Sequence, residues 1–178
     1  MTDFASASAF APETPCEFRA RLVESLPRLG RFARGLTRHK ERAEDLVNDT
    51  VVRALNAESR FEPGTNMNAW LCTILRNQHI SNTRQDRRTV SVDDLNDDMP
   101  SAPGGQIAAV EFSEMRKAMS KVSPEHRELL LMVAAFGLSY GEAAGLCKCA
   151  VGTVKSRLNR ARLDMQRRMG AAASETPA

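Results

Sequence analysis

The sequence predicts an all-α protein built from two small helical domains that a flexible acidic linker joins. Apolar residues recur at helical spacing through both halves of the 178-residue chain, and no segment shows the alternation of a half-buried strand. A stretch with Pro, Gly and the acidic run DDLNDD interrupts the pattern near the middle. The expected boundaries are a mobile tail over 1–15, a first domain over 16–88, the linker over 89–109, a second domain over 110–170, and a mobile tail over 171–178.

The first domain begins with an apolar stripe that includes Phe18 and Leu22. Pro27 lacks an N–H group, so it is expected to kink this helix or to open a new one. Residues 41–56 form the clearest amphipathic pattern, with apolar positions at steps of three and one. The stretch predicts a helix with one buried face and one charged face.

The segment FEPGTNMN, residues 61 to 68, has the composition of a loop. Thr65 or Asn66 can cap the helix that follows, which is expected over about 67–84. Trp70 could stack on a base, but it lies in register with the apolar residues of that helix. The spacing favours a core position for Trp70, and the same argument applies to Cys72.

The second domain carries clear signals for helix ends. Ser123, followed by Pro and Glu, is expected to start a helix that Gly137 ends. Ser139 and Glu142 form a capping box for a short next helix. A turn at residues 147–149 then leads to a longer helix over about 150–169. A short helix, a tight turn and a longer basic helix predict a helix-turn-helix, whose second helix enters the major groove of DNA.

Charge along the chain is uneven. Residues 148–168 hold seven Lys or Arg and one acid, and residues 76–88 hold four Arg and one acid. Two basic segments suggest two contact sites for a polyanion, although two solvated helix faces would give the same composition. In the last helix, Val151, Val154, Leu158 and Ala161 are expected to face inward. The outward residues expected to contact bases and phosphates are Thr153, Lys155, Ser156, Arg157 and Arg160.

Three segments resemble a known family. SYGEAAGLCKCAVGTVKSRLNRAR resembles region 4 of bacterial sigma factors of the extracytoplasmic-function (ECF) group, AEDLVNDTVVRAL resembles their region 2.2, and PGTNMNAWLCTILRNQHIS resembles regions 2.3 and 2.4. The resemblance spans about residues 16–88 and 110–168. FEPGTN and AWLCTILRN further resemble the EcfG subgroup, which directs the general stress response. The turn departs from the family pattern, because Lys148 stands where Gly is usual and positive φ is often required.

The resemblance implies a factor that binds core RNA polymerase and directs promoter-specific initiation. Region 4 would recognise the −35 element as duplex, and region 2 would recognise the −10 element as it opens. The resemblance assigns the −10 strand and a flipped base to Phe61, Thr65, Asn66, Asn68, Arg76, Asn77, Ser81 and Arg84. It assigns polymerase binding to Asp45, Leu46, Asp49 and Arg53.

The resemblance also implies a NepR-type anti-sigma protein that a PhyR-type regulator would release. The acids of the linker, Asp93, Asp94, Asp97 and Asp98, suggest that it mimics nucleic acid in a basic channel of the polymerase. One alternative is a sigma-like decoy, and another is a helix-turn-helix regulator that acts without core polymerase. A binding assay discriminates, since such a regulator binds its operator alone.

The sequence gives no support for an enzyme. It lacks a nucleophile with a positioned base, a phosphate-binding Gly loop and a set of metal ligands, so neither catalytic residues nor a cofactor nor a metal is expected. No apolar run approaches the ~20 residues of a membrane span, and no secretory signal is evident. A cytoplasmic location is therefore expected.

Overall fold

A computed structural model describes residues 14–89 and 114–174. All regular elements in these two ranges are helical, which confirms the all-α prediction. The predicted linker acids lie outside the described residues. The elements are α1 (Pro15–Thr37), α2 (Lys40–Asn56), a 3₁₀ turn (Glu58–Arg60), α3 (Met67–Thr89), α4 (helical over 114–120), α5 (Pro124–Ala134), α6 (Tyr140–Cys147) and α7 (Val151–Ser174).

Helix α1 differs from its prediction at its start and at its proline. Thr14 accepts a hydrogen bond from Glu17 N–H while the Glu17 carboxylate accepts one from Thr14 N–H, so a capping box starts the helix at Pro15. The predicted tail over 1–15 therefore ends earlier. Pro27 neither ends nor restarts the helix, which runs through it. Phe18 and Leu22 before the proline and Leu29 after it are all buried on one face, and this packing outweighs the lost hydrogen bond.

The first domain packs α1, α2 and α3 against one another. An aromatic cluster closes one end, with ring centroids 5.7 Å apart for Phe18 and Phe61, 5.9 Å for Phe18 and Trp70, and 5.3 Å for Phe61 and Trp70. Trp70 therefore packs on the core, as its register predicted. Cys72 has no exposed surface and confirms its predicted core position. Helix α3 continues to Thr89, five residues beyond the expected end.

The second domain packs α5 and α6 against α7. The Ser139–Glu142 capping box is confirmed, with the Glu142 N–H donating to Ser139 Oγ at 3.2 Å and the Ser139 N–H donating to Glu142 Oε2 at 2.8 Å. Gly137 adopts φ +75°, and the Leu138 N–H then donates to the Met132 carbonyl at 3.1 Å. This hydrogen bond caps the C-terminal end of α5. Ser123 is the N-cap residue of α5, but its side chain makes no capping bond.

Helix α7 reaches Ser174 and so enters the predicted mobile tail over 171–178. The backbone stays helical there because the segment contains three consecutive alanines, and alanine has the highest helix propensity. The helix therefore extends four residues past residue 170, the expected end of the second domain. None of the helices within residues 14–89 and 114–174 is both long and apolar enough to cross a membrane.

A buried arginine connects α4 to α5. Arg127 is 8% exposed and donates to the carbonyl oxygens of Met119 (3.0 Å), Ser120 (2.8 Å) and Val122 (2.8 Å). Burial, and secondarily the charge of Arg38, lowers the pKa of its guanidinium. These three bonds satisfy carbonyls at the end of α4 and fix the direction of α5.

The two domains pack on each other through α1 and α5. Phe32 of α1 and Phe136, which follows α5, are fully buried with ring centroids 5.2 Å apart in an edge-to-face arrangement. Gly35 lies so close to Leu131 that a Cβ atom added to the glycine would meet Leu131 Cδ1 at 2.5 Å. This contact between domains places parts of the two candidate DNA surfaces beside each other.

Candidate nucleic-acid interface

The helix-turn-helix consists of α6, a tight turn and α7. Ala143 and Ala144 of α6 are buried, and they face Val154, Leu158 and Ala161 of α7, which are at most 1% exposed. Small residues on α6 allow the two helices to cross closely. Lys148 adopts φ 50° and ψ 47°, so the turn keeps the left-handed conformation although the residue is not glycine. This costs on the order of 1 kcal/mol.

The outward face of α7 is cationic and accessible. Lys155, Ser156 and Arg160 are exposed, whereas Thr153 and Arg157 are half-buried. The Ser156 hydroxyl donates to the Thr153 carbonyl at 3.0 Å, and Arg157 lies 4.0 Å from a Glu125 carboxylate oxygen that is itself largely exposed. Such an exposed pair is weak, so Arg157 can exchange it for a phosphate at little cost.

The prediction that Val151 faces inward is wrong. Its side chain is 42% exposed because it lies in the first turn of α7, before the helix meets α6. Beside it, a Cβ added to Gly152 would meet no atom within 4 Å. The leading tip of α7 therefore offers a small apolar surface in front of its cations.

The loop between the 3₁₀ turn and α3 is held in a defined shape. Asn66 Oδ1 accepts the Asn68 N–H at 3.0 Å and so caps α3, as the sequence predicted for Thr65 or Asn66. The Thr65 hydroxyl instead donates to the Glu62 carbonyl at 2.7 Å. Arg21 of α1 donates to the Thr65 carbonyl at 3.1 Å. The buried side-chain oxygen of Asn68 accepts no hydrogen bond from the described residues.

A cavity of about 640 Å³ opens beside this loop. The sequence pointed to Phe61, which lines the cavity although only 6% of its surface is exposed. Pro63 of the same loop also lines it. The sequence did not indicate the other lining residues, which come from the start of α1, the end of α2 and the 3₁₀ turn and which only the fold brings together: Pro15, Phe18, Arg19, Leu55, Asn56, Glu58 and Ser59.

The predicted strand-binding residues of α3 fall into two groups. Asn77, Ser81 and Arg84 are exposed at positions i, i+4 and i+7, so they form one stripe on the surface. Arg76 lies outside this stripe and is half-buried against the second domain. Its Nε atom is 2.7 Å from a carboxylate oxygen of Glu128 in α5.

The second domain also reaches the loop. The Asn66 side-chain amide donates to Glu142 Oε1 at 2.6 Å. Partial burial raises the pKa of Glu142, but the hydrogen bonds from the Ser139 N–H, the Ser139 hydroxyl and Asn66 more than offset this, and the pKa lies below its usual value. Glu142 is therefore ionised near neutral pH, and the capping box fixes its direction.

The charged face of α2 lies on the surface. Asp45, Asp49 and Arg53 are exposed, but Leu46 is only 1% exposed and packs in the core. Leu46 therefore supports this face from beneath and does not present a contact surface. It lies on the buried face of α2 with Ala43, Thr50 and Ala54. The sequence missed Val52, which is 57% exposed at the position that continues the Asp45–Asp49 row.

Burial makes the thiols of Cys72 and Cys147 unreactive. Burial, reinforced by the charge of Glu128, raises the pKa of the Cys72 thiol to about 12, and burial also raises the pKa of Cys147. Such thiols are poor nucleophiles and poor ligands at neutral pH. Within residues 14–89 and 114–174, no three His, Cys, Asp or Glu side chains are grouped for a metal.

A helix-turn-helix with a cationic outer helix, joined to a helical bundle with a polar strip and a recess beside its loop, is the arrangement expected of a DNA-binding protein. Comparison with known families gives the class. Residues 22–89 match Sigma-70 region 2, and residues 112–165 match Sigma-70 region 4. The two regions follow each other in the order that the motifs predicted.

The similar proteins narrow the class. The chain is 46% identical over 146 residues to the ECF RNA polymerase sigma factor EcfG of Rhodopseudomonas palustris, covering 81% of this chain and 80% of the relative. It is 36% identical to the solved sigma factor RpoE in complex with the anti-sigma factor NepR from Bartonella quintana, with a TM-score of 0.75 over 86% of this chain and 97% of that one. The chain belongs to the ECF RNA polymerase sigma factors.

A more distant structure shows the same fold. The PhyRSL component solved with NepR from Sphingomonas sp. Fr1 matches with a TM-score of 0.60 at 19% identity, over 84% of this chain and 87% of that chain. At this identity the likeness concerns the fold alone.

Proposed function

We propose that this chain binds core RNA polymerase and gives it promoter selectivity, with region 4 on the −35 element and region 2 on the −10 element. The observation that carries the proposal is the presence of both sigma regions in one chain, each with its own polar or cationic surface. A protein that acts in this way needs surfaces that bind and position DNA, and no catalytic group of its own.

The −35 element is assigned to α7. Its predicted contact residues are Thr153, Lys155, Ser156, Arg157 and Arg160, and the three exposed members lie on the outer face of the helix. Lys and Arg donate to guanine acceptors or to phosphates, and hydroxyl groups hold phosphates. The exposed Val151 at the tip adds an apolar group suited to a thymine methyl.

The −10 element is assigned to the loop and to α3. Extracting a base from its stack costs a few kcal/mol, so a shaped recess must compensate. We assign this role to the cavity that Phe61 and Pro63 help to line, because these residues belong to the same segment, residues 61–68, as the hydrogen-bonding residues Thr65, Asn66 and Asn68. From there the separated strand would run along Asn77, Ser81 and Arg84, which offer donors for phosphates and base edges. Arg76 belongs to the same surface once its contact with Glu128 opens.

Polymerase docking is assigned to the exposed face of α2. Asp45, Asp49 and Arg53 provide charges for orientation, and Val52 adds an exposed apolar group among them. An apolar centre with a charged rim is the usual composition of a protein interface. Leu46 holds this face in place from the core.

The likeness to EcfG supports a role in the general stress response, and the likeness to the sigma factor solved with NepR supports a NepR-type anti-sigma partner. A PhyR-type regulator that shares this fold would compete for that partner and release the chain. The proposed DNA and polymerase partners support a cytoplasmic location.

Run-off transcription with purified core polymerase tests the proposal. Core enzyme supplied with this chain is expected to start at defined sites on genomic fragments, and core enzyme alone is expected to start without selectivity. A chain that acts as a decoy or as an independent regulator would give no new start sites. An independent regulator would in addition protect a duplex operator without polymerase.

A further inference from the structure

Two residues of the proposed single-strand surface are occupied by the chain's own second domain. Arg76 pairs with Glu128 of α5 at 2.7 Å, and Asn66 donates to Glu142 of α6 at 2.6 Å. Arg76 and Glu128 are 52 residues apart in the sequence, and Asn66 and Glu142 are 76 residues apart. Both acceptors are glutamates, and both donors are groups assigned to promoter DNA.

The chemistry of these contacts resembles that of a nucleic acid. An ionised carboxylate accepts hydrogen bonds only, as a phosphate does, and it occupies the guanidinium of Arg76. The side chains of Arg76 and Glu128 are only 26% and 20% exposed, so water screens this pair less than a surface pair. While it persists, the Nε donor of Arg76 is not available to a DNA strand.

The geometry beneath the acids supports a defined closed state. Phe32 and Phe136 pack edge-to-face across the domain boundary, and Gly35 provides the space that Leu131 fills. The direction of Glu142 is set by Ser139 through the capping box, so the helix-turn-helix itself presents this acid to the loop. The contacts are therefore tied to the fold of the second domain.

We propose that the second domain is an internal competitor of the promoter strand: Glu128 and Glu142 hold Arg76 and Asn66 in the free chain, and the domains must separate before the −10 strand binds. The inference rests on the proposed function, which assigns these two residues to DNA. A strand that binds only the open form has its affinity reduced in proportion to the open fraction. Docking on core polymerase would favour the open form.

The first experiment removes the two charges without changing side-chain size. Glu128→Gln with Glu142→Gln is compared with Glu24→Gln plus Glu41→Gln, which removes the same charge from two exposed sites of the first domain. Dyes at the exposed positions Arg28 and Lys117 report the distance between domains by energy transfer. The probe is a single-stranded −10 oligonucleotide from a promoter that this chain selects from random DNA with core polymerase.

The double variant at 128 and 142 is expected to separate the domains and to bind the oligonucleotide on the order of tenfold tighter than the wild type. The control double variant is expected to stay closed and to gain less than about twofold from charge alone. An unchanged distance between the domains would overturn the proposal. If the domains separate in the double variant at 128 and 142 but the oligonucleotide binds no tighter than to the control variant, the second domain does not compete with the strand.

A second variant opens the domains without changing charge. The Cβ of Gly35→Ala would meet Leu131 Cδ1 at 2.5 Å, so the Leu131 side chain must give way and the packing between the domains is weakened. Alanine favours the helix in which it lies, so α1 is expected to stay folded while the open fraction rises. The oligonucleotide affinity is expected to rise as in the glutamine variant. If neither Gly35→Ala nor the double glutamine variant changes the distance between the domains, the second domain is not an internal competitor of the strand.

A third measurement separates this inference from the proposed function. Arg76→Ala and Asn66→Ala are tested for open-complex formation with core polymerase, where the domains are expected to be apart. If the alanine variants lose open-complex formation while the glutamine variants leave the free chain unchanged, the internal competition is rejected and the proposed function stands. Normal opening with both alanine variants rejects the assignment of these residues to DNA, and the inference falls with it.

Discussion

The two proposed DNA surfaces of this sigma factor differ in what surrounds them. On α7, the charged residues Lys155 and Arg160 are exposed to solvent. On the first domain, Arg76 and Asn66 are engaged by carboxylates of the second domain. The difference matches the DNA that each surface is proposed to bind. Duplex DNA is available before the promoter opens, whereas the separated strand exists only afterwards.

The two surfaces also differ in the density of charge. Residues 148–168 carry seven Lys or Arg, whereas the strip Asn77, Ser81 and Arg84 offers one cation among two neutral groups. A dense cationic face gives salt-dependent affinity for phosphates. A mixed strip gives less affinity and more contact with base edges. We therefore expect substitutions on α7 to have larger effects than those on α3.

The largest effect is expected from Lys155→Ala combined with Arg160→Ala. Each contact to a base or phosphate contributes roughly 1–3 kcal/mol, so initiation that depends on the −35 element should fall about 100-fold. Run-off transcription on promoters with and without that element measures it. The control is Arg162→Ala with Arg167→Ala, which has the same spacing and charge on the same helix. Equal losses in both variants would show that only bulk charge matters.

A smaller effect is expected from Asn77→Ala combined with Arg84→Ala. Loss of about two contacts to a flexible strand should reduce open complexes about tenfold, and protection of the −35 duplex should be retained. Permanganate reactivity of unpaired thymines measures opening, and nuclease footprinting measures duplex binding. Arg28→Ala on α1 serves as the charge control. A parallel loss of duplex protection would contradict the division between the two surfaces.

The two capping boxes allow a matched test of coupling between the domains. Thr14→Ala and Ser139→Ala should each lower the free energy of unfolding by about 1 kcal/mol, because each removes an N-cap hydrogen bond. Only Ser139→Ala should also separate the domains, since Ser139 orients Glu142 towards Asn66. Urea denaturation and the energy-transfer distance provide the two measurements. Equal separation in both variants would indicate that Ser139 has no special role.

The smallest effect is expected at the turn. Lys148→Gly removes the strain of a left-handed residue and should raise the free energy of unfolding by up to about 1 kcal/mol, less the extra entropy of glycine in the unfolded chain. Lys148→Ala removes the charge but keeps the strain, so it should give no gain. Thermal unfolding of the three proteins measures the difference. A similar gain with alanine would show that charge, and not backbone conformation, was responsible.

Much of the fold follows from local patterns in the sequence. The pair Ser139 and Glu142 predicted a helix start that the structure confirms, and Val154 and Leu158 were placed inward by their spacing. These signals act within one or two helical turns, so the sequence contains them directly. Val151 was misplaced by the same rule, because periodicity does not show where a neighbouring helix stops covering a face.

The contacts between distant residues could not be predicted in this way. Arg76 was assigned to DNA by the resemblance to sigma factors, and nothing near it in the sequence indicates Glu128 as its partner. The cavity beside Phe61 combines the start of α1 with the end of α2, which only the packing of the bundle brings together. Leu46 was grouped with its charged neighbours, although its own spacing marks it as buried.

Promoter opening tests the central claim most directly. A duplex promoter with 2-aminopurine at one −10 position of the non-template strand increases in fluorescence when that base leaves its stack. Core polymerase with this chain is predicted to give the increase, and neither core polymerase nor the chain alone is predicted to do so. An unchanged signal in the complete mixture, with both proteins bound to the promoter, would contradict the account.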